Sequence, residues 1–133
     1  EVRGIICYLA TRVIFQRRLK AYLQGASFRG LSDTALEIYS GPWRGAEGQA
    51  AFYRQIAQMD VKYTDEIEPL YDTVDFPAQI LWGEEDRWIP IATGERLAAA
   101  LTGGRLLRIP SAGHLVQDDA PEAIVAAILE EQG

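Results

Sequence analysis

The second half of the chain alternates short apolar runs with helical patterns, and this alternation restricts the fold more than any other feature. The first run, Ala78–Trp82, is preceded by a proline and followed by a glycine. Such a run is typical of a strand buried on both faces of a parallel sheet. The second run, Arg105–Ile109, lies between a Gly-Gly pair and Pro110. We therefore expect two parallel strands joined by a right-handed crossover.

A helix is predicted after each of these strands. The first begins at Pro90, ends near Leu101 and separates the two strands. Asp119 is expected to cap the last helix, with Glu122 three positions on as its capping-box partner. The buried edge of that last helix is predicted to consist of its larger apolar residues, which are Ile124, Val125, Ile128 and Leu129.

The first 70 residues have a helical pattern. Apolar residues recur there at spacings of three and four up to about Gln24, which predicts one or two amphipathic helices. Ser32 or Asp33 can cap a short helix that Gly41 ends through a positive φ, and a third helix is expected over 47–59. We expect an α/β protein with two parts, a helical segment over 1–70 and a β-α-β-α unit over 71–133.

Composition excludes several functions. Thirteen basic and nineteen acidic residues give a net charge of -6, which disfavours binding to nucleic acid and to anionic membranes. Cys7 and His114 are the only residues of their types, so zinc lacks ligands, and we expect neither a metal nor another cofactor. No apolar stretch near the N-terminus is long enough for a membrane span. A cytoplasmic location is therefore predicted.

An acid and a histidine follow the two predicted strands. Asp86 lies just past the first strand and His114 just past the second, 28 residues later. Ligands of open parallel sheets bind at the carboxyl ends of the strands. An acid at this edge can hold one imidazole nitrogen while the other nitrogen takes a proton from a nucleophile or water. Glu84 and Glu85 are alternative acids, although both are expected to face solvent.

The two segments that carry these residues resemble those of a known family. LWGEEDRWIP, residues 81–90, resembles the acid turn of an α/β-hydrolase, and IPSAGH, residues 109–114, resembles its histidine loop. The helical segment GQAAFYRQIA, residues 48–57, resembles the cap region of such enzymes. The resemblance implies a partial α/β-hydrolase fold, with a cap over 1–70, the last two strands over 71–133, Asp86 as the triad acid and His114 as the general base.

The nucleophile of that family has no counterpart in this sequence. No Gly-x-Ser-x-Gly elbow, and no such elbow with Asp or Cys, occurs in the 133 residues. We therefore expect a C-terminal fragment of a hydrolase that is inactive by itself. Its beginning at Glu1, within a helical pattern, also suggests that the chain starts inside a longer protein. The alternative is a noncatalytic binding or assembly module derived from an α/β-hydrolase.

Expectations about ligands and partners follow from the same reasoning. Trp88, Tyr53 and Trp43 are candidates for contacts with a small-molecule substrate. Trp88 can equally serve as a packed loop aromatic, and for Tyr53 and Trp43 a place in the core or the cap interface is the favoured alternative. Two strands alone leave a sheet face or edge uncovered. The expected partner is the N-terminal half of the same enzyme or a second copy of this chain. Neither nucleic acid nor a membrane is an expected partner.

Overall fold

The computed structural model describes residues 2–102 and 105–130, and the side chains of residues 11–101 and 105–130. It contains the predicted mixture of helices and parallel strands. In chain order the elements are α1 (Val2–Ala26), α2 (Asp33–Ser40), α3 (Gly45–Ala57), α4 (Lys62–Asp65), β1 (Ile80–Gly83), α5 (Ile91–Thr102), β2 (Leu106–Ile109), α6 (Val116–Asp119) and α7 (Pro121–Glu130). Short 3-10 helices occupy Gly41–Trp43 and Glu68–Thr73.

The strand predictions are confirmed in position and direction. β1 and β2 pair in parallel, with Ile80 opposite Leu106 and Gly83 opposite Ile109. Helix α5 connects the two strands and packs against both. Parallel strands require such a crossover, because the chain must return to the same edge before the second strand begins. Both strands therefore end at one edge of the sheet, and the loops after them start there.

The chain divides into two compact units. One consists of Leu31–Asp60 together with the chain up to Gln24, and the other consists of Gly25–Gly30 with the chain from Val61 onward. The first unit is helical in the residues that the structure describes, and the second contains the sheet. The division into a cap over 1–70 and a core over 71–133 stays a prediction.

The prediction that β1 is buried on both faces is wrong. In β1 only Gly83 is buried, and the other three residues are half-buried. In β2 only Ile109 is buried. Within the described residues the sheet has two strands, and so narrow a sheet cannot cover the apolar side chains on both of its faces.

The predicted buried edge of the last helix is wrong for three of its four residues, since Ile124 alone among them is half-buried. Val125, Ile128 and Leu129 are exposed, and the residues of α7 and its preceding loop that pack are small ones: Ala120, Ala123 and Ala127. Ala123 and Ala127 are four residues apart in α7 and so share one helix face. Helix α7 is apolar on two sides, and Ala123 packs against the buried cluster of Ile109, Ala112 and Ala120.

Two local predictions about helix ends have different outcomes. Ser32 caps α2, because its Oγ accepts a hydrogen bond of 3.1 Å from the Ala35 amide. Gly41 follows α2 as predicted, but its φ of -51° is right-handed rather than positive. The chain continues there into a 3-10 turn, so no left-handed residue is needed. Among the described residues, no helix has both the length and the apolar character needed to cross a membrane.

Candidate active site

The turn after β1 fixes Asp86 through its own main chain. Asp86 Oδ1 accepts hydrogen bonds from the amides of Trp88, at 2.8 Å, and Ile89, at 3.0 Å. A short acidic side chain commonly closes a turn in this way. The Asp86 side chain is only 5% exposed. Its second oxygen, Oδ2, is left to face another element.

That element is the loop after β2, which carries His114. His114 Nδ1 lies 3.0 Å from Asp86 Oδ2, so the structure brings the two sequence-predicted residues into hydrogen-bonding contact. The alternative acids Glu84 and Glu85 have exposed side chains. When neutral imidazole donates its Nδ1 hydrogen to a carboxylate, Nε2 becomes the free acceptor. The pair can therefore receive a proton at Nε2 and hold the resulting imidazolium beside a carboxylate.

Trp88 packs on the ring of His114. The two ring centroids are 4.9 Å apart, and the planes are inclined by 36°. This contact, together with the bond from Asp86, restricts rotation of the imidazole. Trp88 therefore belongs to the same group of side chains as the predicted acid and base, whereas its contact with a substrate stays a prediction.

The turn after β1 and the loop after β2 touch through their main chains. The amides of Glu84 and Glu85 donate to the carbonyls of Ile109, at 3.0 Å, and Ala112, at 2.9 Å. A Cβ placed on Gly83 would lie 2.3 Å from the carbonyl oxygen of Gly113. This distance is far below van der Waals contact, so the position accepts only glycine. The separation of the two loops is thus set by backbone atoms.

The histidine loop contains a residue with an uncommon backbone conformation. Ser111 has a φ of 56°, in the left-handed region that costs a non-glycine residue roughly 1 to 2 kcal/mol. The carbonyl of Ser111 accepts a hydrogen bond of 3.3 Å from Arg29 Nε. The tight turn brings the chain from the end of β2 back toward Asp86 within a few residues.

Asp119 corrects a sequence-based expectation. It was expected to cap the last helix, but it ends α6, and its carboxylate binds elsewhere. Its two oxygens accept four hydrogen bonds. Three come from backbone amides, those of Gly113 (2.7 Å), Phe28 (2.8 Å) and Arg29 (3.0 Å), and the fourth comes from the hydroxyl of Ser27 (2.6 Å). Three of these donors lie about 90 residues away in sequence, so no local pattern indicated them.

Burial and hydrogen bonding act on Asp119 in opposite directions. The residue is 1% exposed. Burial raises the pKa of its carboxyl, but the hydrogen bonds from Ser27 Oγ and from the Gly113, Phe28 and Arg29 amides outweigh that effect and leave the pKa lowered. Hydrogen bonds to the charged form favour it. Asp119 is therefore a buried anion held by neutral donors.

The space beside the acid and the histidine is small. A cavity of about 150 Å³ is lined by residues of β1 and the two loops, namely Leu81, Trp82, Gly83, Asp86, His114 and Val116. Ligand sites for drug-sized molecules have volumes of roughly 300 to 1,000 Å³. The described residues of this unit therefore enclose only part of a site of that size.

The two other predicted contact residues, Trp43 and Tyr53, lie in the helical unit. The Trp43 ring packs on Phe52 with centroids 5.5 Å apart, and the Tyr53 ring packs on Phe15 at 5.5 Å. Tyr53 also lines an apolar cavity of about 550 Å³ within that unit, with Phe52, Ile56 and Met59 among the other lining residues. The predicted substrate contacts of Trp43 and Tyr53 stay predictions.

No group of three or more metal-ligating side chains occurs within the part of the chain that the structure describes. The candidate site consists of a carboxylate, an imidazole and an indole. Such a group can transfer protons through the imidazole, while the carboxylate and the indole hold the imidazole in one orientation.

Comparison with known proteins identifies the class of this chain. A model described as the alpha/beta hydrolase family matches residues 4–127. The chain therefore belongs to the alpha/beta hydrolase family. This result confirms the resemblance that the acid turn and the histidine loop indicated, and the partial α/β-hydrolase fold agrees with it.

Individual relatives cover parts of the chain. The uncharacterized hydrolase YugF of Bacillus subtilis strain 168 is 46% identical over 48 residues, which are 36% of this chain and 18% of YugF. Haloalkane dehalogenase 2 of Mycobacterium tuberculosis strain H37Rv is 38% identical over 58 residues, which are 43% of this chain and 20% of the dehalogenase. These matches cover short stretches of longer proteins.

A solved structure matches almost the whole chain. The crystal structure of an alpha/beta hydrolase fold protein from Burkholderia ambifaria is 48% identical, with a TM-score of 0.86. The match covers 97% of this chain and 50% of the Burkholderia chain. The present chain thus spans half the length of that structural relative.

Proposed function

We propose that this chain is the C-terminal part of an α/β-fold hydrolase, in which Asp86 is the triad acid and His114 the general base. The observation that carries the proposal is the 3.0 Å contact between His114 Nδ1 and Asp86 Oδ2. On this proposal the chain has no turnover until a separate N-terminal segment supplies the nucleophile. An activity of the hydrolase class is consistent with the family to which the chain belongs.

The proposed mechanism assigns one task to each side chain. Asp86 holds the imidazole through Nδ1 and stabilises the imidazolium when it forms. His114 Nε2 removes a proton from the nucleophile or from a water molecule, and it returns that proton to the leaving group. Trp88, which packs on the imidazole, limits the ring to the orientation that this proton transfer needs.

Three observations support the need for a further segment. The sequence contains no nucleophile elbow, and the elbow also supplies an oxyanion-hole amide in this family. The cavity beside His114 is about 150 Å³, below the usual size of a small-molecule site. The chain also matches only half of the Burkholderia structure. Each observation supports a site whose remaining parts come from another segment.

The exposed apolar surface of α7 and of the two strands also supports a partner that covers it. Val125, Ile128 and Leu129 on α7 are exposed, and β1 and β2 are only partly covered. We propose that the N-terminal half of the enzyme covers this surface, with a second copy of the chain as the other possible partner. The contacts predicted for Trp88, Tyr53 and Trp43 with a small-molecule substrate belong to the same proposal.

The reaction depends on the identity of the missing nucleophile. A serine would give cleavage of ester, amide or carbon-carbon bonds, whereas an aspartate would give cleavage of epoxides or carbon-halogen bonds. One relative is named a haloalkane dehalogenase, so carbon-halogen bonds belong among the substrates to be tested. The function that we propose for this chain is therefore a hydrolase activity without a single assigned bond type.

The test is complementation with the N-terminal half of the Burkholderia relative. This chain is assayed alone, and again after co-expression with that half, against chromogenic esters, epoxides and haloalkanes. We expect turnover only in the complemented sample. His114→Ala in that sample should lower kcat by several orders of magnitude, because loss of a triad base in a serine hydrolase costs on the order of a millionfold. Asp86→Asn should also abolish most turnover.

A matched control separates the acid from its neighbours. Glu85→Gln removes the same charge one residue away, from an exposed side chain, and should leave kcat of the complemented enzyme within about twofold. Equal losses for Glu85→Gln and Asp86→Asn would contradict the assignment of the acid. Normal turnover of the complemented His114→Ala enzyme would contradict the assignment of His114 as the general base.

The second candidate function is a noncatalytic binding or assembly module. The apolar cavity of about 550 Å³ in the helical unit favours it, because that cavity is within the size range of small-molecule sites. On this alternative an apolar ligand binds the isolated chain, and no N-terminal half restores turnover. Calorimetric titration of the chain with the same substrates, before complementation, distinguishes the two functions.

A further inference from the structure

The carboxylate of Asp119 is saturated with hydrogen bonds that all lead to loops around His114. Oδ2 accepts from the amides of Gly113 and Phe28, and Oδ1 accepts from the Arg29 amide and the Ser27 hydroxyl, over distances of 2.6 to 3.0 Å. A carboxylate has about four acceptor positions. All of them are therefore used, and none serves the first turn of the following helix.

These bonds join the histidine loop to the segment Gly25–Gly30. Gly113 immediately precedes His114, and the residue after His114, Leu115, donates its amide to the carbonyl of Ala26 at 3.1 Å. The main chain of His114 is thus held on both sides. A Cβ on Gly113 would lie 2.8 Å from the Ala26 carbonyl oxygen and 2.9 Å from the Phe28 nitrogen, so the two segments pack backbone on backbone.

We infer that Asp119 is a positioning residue for His114: by binding Gly113 on one side and Ser27–Arg29 on the other, it keeps the imidazole in reach of Asp86. The inference rests on the proposed role of His114 for its catalytic meaning. Asp119 touches neither Asp86 nor the imidazole in this arrangement, and its effect passes through the main chain of the loop.

The chemistry of the site makes Asp119→Asn an informative variant. The amide has nearly the same shape, but one oxygen becomes an NH₂ group that donates and cannot accept. The Ser27 hydroxyl can turn to accept from this NH₂ group, but each backbone amide that was bonded to the replaced oxygen would face another donor. A buried donor that loses its acceptor costs free energy, so the loop must move to satisfy the Gly113 or Arg29 amide.

The test uses the chain itself, because His114 is its only histidine and its ring signals in NMR spectra need no assignment. In the wild type, at a pH where the ring is neutral, nitrogen-15 shifts should report the tautomer protonated at Nδ1, with a downfield Nδ1 proton bonded to Asp86. In Asp119→Asn we expect loss of that downfield proton and a mixture of the two ring tautomers. The matched control Asp118→Asn, an adjacent exposed acid, should leave both signals at their wild-type positions.

A purely structural role gives a different result. Asp119→Asn would then lower the melting temperature, while at temperatures well below melting the His114 signals would match those of the wild type. That outcome overturns the inference. If Asp119→Asn does not fold, Ser27→Ala decides, because it removes one of the four bonds and keeps the carboxylate. Broadened or shifted His114 signals in Ser27→Ala support the inference, and signals that superimpose on the wild type overturn it.

The complemented enzyme provides a second readout. Asp119→Asn should lower kcat at least tenfold and change KM by less than twofold, because the proton transfer is affected rather than substrate contacts. If the wild type gains no activity on complementation, the proposed function fails, while the NMR comparison of the isolated chain still decides the role of Asp119. The two failures are therefore distinguishable.

Discussion

Substitution of Gly83 by alanine should destabilise the fold and separate the acid from the histidine. The added Cβ would lie 2.3 Å from the Gly113 carbonyl oxygen and 2.4 Å from that of Ala112. An ordinary contact between carbon and oxygen is about 3.3 to 3.6 Å, so the loops must part by roughly 1 Å. Both obstructing atoms belong to the main chain and cannot be relieved by a side-chain rotation.

We expect Gly83→Ala to lower the free energy of unfolding by about 3 kcal/mol, the upper end of the usual range for overpacking. This is a large part of a typical domain stability of roughly 5 to 15 kcal/mol. Urea unfolding followed by circular dichroism measures it. With a slope of about 1 to 3 kcal/mol per molar urea, the midpoint should fall by at least roughly 1 M, and the downfield Nδ1 proton of His114 should disappear.

Gly41→Ala is the matched control. Gly41 has a right-handed φ of -51°, and a Cβ there would meet nothing within 4 Å. Replacing glycine with alanine at such a position commonly stabilises a protein by about 0.4 to 1 kcal/mol. If Gly83→Ala shifts the urea midpoint no more than Gly41→Ala does, the main-chain contact does not set the spacing of the loops, and the reasoning is refuted.

Three further predictions concern other contacts. The stabilisation by Asp119 should be complete above the carboxyl pKa of unfolded chains, about 3.9, and should vanish as pH falls through the lowered pKa of the folded state. The difference in urea midpoint between the wild type and Asp119→Asn should therefore shrink in acid. A difference that stays constant with pH would contradict the lowered pKa of Asp119. Gly94→Ala should cost about 1 to 3 kcal/mol and change tryptophan fluorescence, because its Cβ would lie 2.7 Å from ring atoms of Trp82; an unchanged spectrum and midpoint would contradict this packing. Ile128→Glu should change the stability of the isolated chain by less than about 0.5 kcal/mol yet weaken binding of the N-terminal half in a pull-down titration, and equal binding would exclude this face as the interface.

The strands and the acid-histidine pair could be predicted because their signals are local. Proline and glycine bound each apolar run, and parallel pairing then carries the residues after β1 and β2 to one edge of the sheet. Asp86 and His114 follow those strands directly, so their proximity needs no further information. The similarity of both segments to known α/β-hydrolases added the expected chemistry.

The remaining features depend on contacts that are distant in sequence. Asp119 fits a local capping pattern with Glu122, but its partners Ser27, Phe28 and Arg29 come from the first quarter of the chain. A long-range hydrogen bond leaves no periodic signal. The buried side of α7 was predicted wrongly for a similar reason. The helix is apolar on two sides, and Ala123, rather than Val125, Ile128 or Leu129, packs against the buried cluster around Ile109.

The direct contact of Gly83 with the Ala112–Gly113 backbone has a consequence for how such a site can diversify. Because peptide groups rather than side chains act as the spacer, exposed loop positions such as Arg87 can be exchanged without altering the distance between carboxylate and imidazole. New specificities can accordingly arise around an unchanged proton-transfer pair, provided that neither glycine acquires a methyl group.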